Sequence, residues 1–387
     1  MLKYLVGLAI GALSLWPSAV GAAPAWEQWH PIKGVFDLGG PRTDGNLLVA
    51  GSAALYLLGQ DGTEVAFARG PGGYHEDAGA EAYVATSPGA PGTSQGCAFT
   101  PDDTFILRLH VPIGITRVSA AGDETGSFGN LTGVSTLNGI AFDTTGAFDH
   151  RLLVTGVAGS HAVLFAVDCN GVGSVITRSA PTLEGGIAVA PSSFGAFAGQ
   201  LIGADELSGN IYAIAASGKA TAIAKPSLAT GGDIGVESVG FVPPGFVTRG
   251  GFAYYADRAT PGNAHPGTDY VLRVASSDLA AMGVEEGDML VATEGGASLV
   301  DVRCTTSCSV ATVIATPTKA HGEGHIVFTV APTPAVVSPV SRTTQTATIS
   351  PGLVDFIGAW GVPLGLVVIV LVFGAGIGVA ALRRRGS

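Results

Sequence analysis

The chain has 387 residues, 47% of them hydrophobic and only 13% charged, with 58 glycines and a formal net charge of -11. So few charges exclude a disordered tail protein and a coiled coil, both of which depend on dense charge. Four cysteines over this length exclude a disulfide scaffold, which leaves a large, weakly charged, glycine-rich chain of all-β character.

Residues 1–23 read as a secretory signal. Lys3 supplies the positive start, an uncharged apolar stretch runs from Leu5 to Trp16, and Val20-Gly21-Ala22-Ala23 forms a small-residue cleavage zone. The stretch falls short of the ~20 residues a spanning helix needs. Export is expected rather than an N-terminal anchor.

Self-similarity then dominates residues 24–330. Gly139-Ile140-Ala141-Phe142 recurs as Gly186-Ile187-Ala188-Val189, with weaker copies at Gly96-Cys97-Ala98-Phe99 and Ser238-Val239-Gly240-Phe241. Each reads as a short buried strand. A second element pairs two apolar residues three apart with a later glycine: Leu55 and Leu58 with Gly62, Ile115 and Val118 with Gly122, Leu164 and Val167 with Gly171, Ile211 and Ile214 with Gly218. In all four the glycine stands seven residues after the first apolar position, the mark of a hairpin turn that needs positive φ.

With a middle strand before each hairpin and an outer strand after it, the unit has four antiparallel strands. Repeated four-stranded units predict a β-propeller. Six blades are counted, five or seven remaining open: residues 271–274 fit a fifth hairpin, 289–315 a shortened sixth, and 325–330 a spare strand able to close the ring at the other terminus. A pair of β-sandwiches would explain short strands but not the repeated seven-residue offset.

Cys304 and Cys308 flank a turn of three residues, Thr305-Thr306-Ser307, and are placed for a disulfide. Cys97 and Cys169 fall on different expected blades, and their pairing stays open. Residues 331–352 carry Pro332, Pro334, Pro339 and Pro351 and read as an extended stalk. Residues 353–382 read as a transmembrane helix, charge-free from Phe356 to Leu382 and followed by Arg383-Arg384-Arg385 in a cytoplasmic tail, 383–387. The chain is therefore expected to be a single-pass cell-membrane protein with its N-terminal domain extracytoplasmic and its partner the membrane at one end. Without Lys3 and the terminal arginines, 15 basic residues face 30 acidic ones outside. Such a domain is not expected to bind nucleic acid.

Two resemblances follow from particular residues. The run Pro191-Ser192-Ser193-Phe194-Gly195-Ala196-Phe197-Ala198-Gly199-Gln200-Leu201-Ile202-Gly203-Ala204-Asp205, followed by Ser208-Gly209-Asn210-Ile211-Tyr212, resembles a blade of the NHL-repeat-like propellers of bacterial surface proteins. Leu137-Asn138-Gly139-Ile140-Ala141-Phe142-Asp143 is similar to the Asn-Gly strand of gluconolactonase-type propellers. The second resemblance implies that Asn138 is a metal ligand and that a carboxylate such as Glu237 is another.

In a propeller, polar residues just before the innermost strands converge on the central channel. Here they are Gln95, Asn138, Glu184, Glu237 and Glu323. Amide and carboxylate oxygens around an axis suit Ca²⁺, which takes six to eight oxygen ligands. Asn138, Glu184 and Glu237 are the candidate Ca²⁺ ligands, with Gln95 and Glu323 at the channel mouth; the alternative is that all five only solvate that mouth. His321-Gly322-Glu323-Gly324-His325 is the one histidine cluster, and its glycines favour a flexible loop over a helical zinc site. Function divides accordingly. One expectation is a surface module that binds an extracellular protein, glycan or small ligand without chemistry, and the other is a calcium-dependent hydrolase of the lactonase kind.

Overall fold

A computed structural model describes residues 25–70, 73–76, 80–89, 91–314 and 318–333. The chain divides into two units, 1–333 and 334–387. The signal segment, the apolar run 353–382 and the basic tail lie outside the described residues, as does the stalk beyond Thr333. Among the described residues no helix is long and apolar enough to cross a membrane.

Six four-stranded antiparallel sheets form the six blades of a β-propeller. Blades 1 to 4 each use four consecutive strands, with Asp37–Gly39, Val84–Thr86, Thr136–Phe142 and Glu184–Val189 innermost. Six hydrophobic clusters fill the structure, one in each wedge between neighbouring blades. Each blade is thus buried on both faces, which is why its strands read as continuous apolar runs. Leu152 and Val154 pack toward blade 2 while Leu153 packs toward blade 4.

The seven-residue glycines stand where the repeat places them, between the third and fourth strands. Gly62, Gly122, Gly171 and Gly218 have φ of 85, 77, 80 and 85°. Each donates its N–H to the carbonyl three residues earlier, at Gly59, Ser119, Asp168 and Ala215. These turns also touch the previous blade. A Cβ on Gly122 would meet the Phe67 ring at 2.6 Å, one on Gly218 the Ile176 carbonyl oxygen at 2.7 Å, and one on Gly171 would collide with the Phe128 carbonyl.

Three expectations need correction. The segment Gly96-Cys97-Ala98-Phe99 is not an innermost strand; it lies in the connection between Val84–Thr86 and Thr104–Arg108. Cys97 is bonded to Cys169 in the turn of blade 3, and Phe99 is buried against Phe105 and Phe142 without belonging to a strand. The last two blades exchange strands. Met289–Thr293, Leu299–Cys304 and Cys308–Ile314 complete blade 5 beside Val236–Phe241, whereas Gly251–Asp257 and Tyr270–Ala275 form the middle of blade 6. Blade 6 is finished by Gly322–Val330 inside and Glu27–Pro31 outside. The histidine cluster is therefore no flexible loop: His321 forms a bridge with Gly295, and Glu323 to His325 lie in the innermost strand. Cys304 and Cys308 are joined across their turn, Cα to Cα 4.0 Å.

Candidate functional site

The innermost strands all run the same way along the channel, and four of them carry a polar residue near the start: Asn138, Glu184, Glu237 and Glu323. What aims these side chains is a break in the pairing. Leu137 opposes Gly156 and Gly139 opposes Thr155, so Asn138 is the extra residue of a bulge. Val236 opposes Thr293 and Ser238 opposes Ala292, so Glu237 is another. The register also shifts between Glu184 and Ala188, and between the Glu323 and Val327 pairings of blade 6. A bulge leaves its extra residue outside the ladder and turns the side chain away from the blade-to-blade packing.

The side chains meet at one mouth of the channel. Asn138 Nδ2 donates to the Leu183 carbonyl at 2.5 Å and to Glu184 Oε2 at 3.4 Å. Glu237 lies over Gly185, where any Cβ would strike its carboxylate. The Tyr83 hydroxyl stands 3.1 Å from Glu237 Oε1 and 3.3 Å from Glu323 Oε2. Glu323 also receives Arg258 Nη1 at 3.2 Å, and the same nitrogen reaches Glu81 at 2.6 Å. His321 Nε2 is 2.8 Å from Glu294 and 3.5 Å from Glu323. One ligand atom each of Glu294, His321 and Glu323 lie within 4.8 Å of one another.

Gln95 takes no part. It is exposed in the connection that contains Cys97, and the place it was expected to fill belongs to Tyr83 and Glu81, which precede the true innermost strand of blade 2. Glu206, Glu294 and Arg258 also escaped the sequence reading, and His321 was read only as part of a flexible loop. Glu206 and Glu294 follow second strands rather than precede first ones, so a search confined to innermost strands misses them. Of the missed residues Glu294 alone carried a usable signal, because Glu294-Gly295 repeats the acid- or amide-glycine pair of Asn138-Gly139, Glu184-Gly185 and Glu323-Gly324.

Crowding acid groups in a buried place raises their pKa. Glu237 is 3% exposed, and burial, then the Glu323, Glu294, Glu184 and Glu206 carboxylates, hold it well above the ordinary range. Burial raises Glu184 to about 7, and burial with a hydrogen bond from Glu294 raises Glu206 to about 8. Burial opposes charge on His321, but its bonds to Glu294 and Glu323 prevail and lift it to about 10. Glu81, Glu294 and Glu323 thus pair with Arg258 or His321, and Glu184 and Glu206 crowd Glu237 beside them. Asn138 Oδ1 and Glu206 Oε1 are buried with no hydrogen-bond partner.

Further along the innermost strands, the His325 ring bridges blades 1 and 3. Its Nδ1 is 2.9 Å from Asp37 Oδ1 and its Nε2 is 2.8 Å from the Ile140 carbonyl. Both partners accept, so both ring nitrogens carry hydrogen and the ring is an imidazolium. Asp37, fully buried, also accepts from the Leu38, Val84 and His325 amides.

No family model matches the chain, and no curated protein matches it in sequence. Among solved structures it is similar in shape to virginiamycin B lyase from Staphylococcus aureus, with 10% identity over 79% of this chain and 96% of that one and a TM-score of 0.43. A candidate gluconolactonase shares 14% identity over 79% and 95% of the two chains, TM-score 0.39. An auxiliary nutrient binding protein from Bacteroides ovatus shares 11% over 74% and 57%, TM-score 0.40. The six-bladed assignment rests on the strand pairing itself.

Proposed function

We propose that this propeller is an exported, membrane-anchored binding module that holds a divalent cation at the acidic mouth of its channel. That mouth would face an extracellular protein, glycan or small ligand. The observation that carries the reading is the pair of bulges that aim Asn138 and Glu237 at the space beside Glu184, with Asn138 Oδ1 buried and unpartnered. Orphaned buried oxygens are costly, and a cation answers them. Asn138, Glu184 and Glu237 would hold it, and an all-oxygen set fits Ca²⁺. When bound, the ion would offset the carboxylate repulsion and offer its remaining positions to oxygen atoms of a ligand. Anchoring is supported by the uncharged run that ends at Arg383-Arg384-Arg385.

Calorimetric titration of Ca²⁺ into the chelator-treated full-length protein in detergent tests this. One saturable site that disappears in Glu237→Gln is expected, and absence of binding to the native protein would sink the reading. A second reading, a calcium-dependent lactonase, draws on Glu184, whose pKa near neutrality suits proton transfer. Turnover of simple lactones that stops with chelator and returns with Ca²⁺ would favour it over a purely binding role.

A further inference from the structure

We infer that the opposite mouth of the channel is a separate binding site for a compact, uncharged, mainly apolar small molecule. The innermost strands that begin among carboxylates end around a cavity of ≈ 380 Å³, within the ~300–1,000 Å³ of small-molecule sites. Its walls include Leu38, Phe142, Ile187, Phe241, Val327 and Phe328, contributed by five blades. His325 also lines it.

Charge argues for the class of ligand. No Asp, Glu, Lys or Arg lines the cavity, and its one ionisable side chain is His325. Both nitrogens of that ring are already engaged, by Asp37 and by the Ile140 carbonyl, so it presents no free donor to an anion. A charged ligand would leave water without a counter-charge, whereas an apolar one gains from leaving it.

Polar recognition is nevertheless available. The hydroxyl-bearing residues Thr86, Ser87 and Thr144 line the cavity. Each innermost strand also has one edge with no neighbouring strand, so its backbone groups supply further hydrogen-bonding points along the wall. The ligand class is thus an apolar body with one or two hydrogen-bonding atoms. None of Asn138, Glu184, Glu237, Glu294, His321 and Glu323 lines this cavity, so the site needs no cation and does not depend on the function proposed above.

The test is fluorescence titration of the full-length protein in detergent with N-phenyl-1-naphthylamine, measured against the same micelles without protein. One saturable site per chain is expected. Thr86→Phe and Ala188→Phe fill the cavity from blades 2 and 4, at half-buried positions, and each should weaken the probe by roughly tenfold or more. Glu237→Gln and chelator should leave its affinity unchanged. Melting curves identify any variant that has not folded. No saturable signal above micelles, or native affinity in both folded variants, overturns the inference. Loss of the probe with Glu237→Gln or chelator does so too, because it places the probe at the other mouth.

Discussion

The four turn glycines have nearly the same φ but different neighbours, which makes them an internal experiment. Replacing any of them by alanine puts a Cβ in the left-handed region, at ~1–2 kcal/mol. For Gly62 little else changes, since the nearest foreign atom is His30 Nδ1 at 3.8 Å. For Gly218 the new Cβ lies 2.7 Å from the Ile176 carbonyl oxygen and 3.1 Å from Thr177 Cβ, and for Gly171 it strikes the Phe128 carbonyl outright. Forcing a backbone to yield adds roughly 1–3 kcal/mol, so Gly171→Ala and Gly218→Ala should cost about 2–5 kcal/mol in all. Gly122→Ala should fall between, because its obstacle is the edge of the Phe67 ring, a side chain that can shift. Urea unfolding of the single variants, followed by far-ultraviolet circular dichroism, gives the series directly. Four equal losses, within ~0.5 kcal/mol, would show that the turns matter only through their own backbone and would refute the blade-to-blade account.

In chelator, stability should fall as pH rises from about 4.5 to about 7. Glu184 has a folded pKa of about 7 against a reference of 4.5, so the folded state binds more protons across that window; Glu206 extends it to about 8. Melting curves at stepped pH should show this slope and its flattening by Ca²⁺. Asp37→Asn removes the carboxylate that accepts four hydrogen bonds, a loss of ~2–4 kcal/mol. It should also lower the His325 pKa, which Asp37 raises against the opposing effect of burial; imidazole titration by NMR reads the change. Replacing Cys97 and Cys169 by serine opens a link across 72 residues and should cost about 4 kcal/mol, against about 2 kcal/mol for the Cys304 and Cys308 pair, separated by four. Equal losses in chemical denaturation would contradict the loop-length argument.

Propeller architecture was legible because two local requirements repeat in register: a buried apolar strand, and a glycine whose φ no other residue adopts cheaply. Asn138, Glu184, Glu237 and Glu323 were legible because each precedes or opens such a strand. Gln95 misled because Gly96-Cys97-Ala98-Phe99 carries the pattern of an innermost strand while a disulfide to Cys169 and aromatic packing of Phe99 hold it elsewhere. The exchange between blades 5 and 6 was invisible, since sequence order favours pairing of consecutive strands and nothing in 251–275 announces a partner at 322–330. His321 and His325 could not be placed from composition either; their surroundings come from Asp37, Ile140 and Glu294, all remote in sequence.

That exchange bears on how the molecule can be made and altered. Glu27–Pro31 pairs with Tyr270–Ala275, and Gly251–Asp257 waits for Gly322–Val330, so the earliest strand released in synthesis has no partner until most of the chain exists. Blades 1 to 4 can assemble as the chain emerges, but the last two must form together. A stop codon or a protease cut anywhere between 236 and 307 would therefore leave two sheets unfinished rather than one. Nor could a blade be added or deleted there at a repeat boundary, because no such boundary exists in that stretch of the polypeptide.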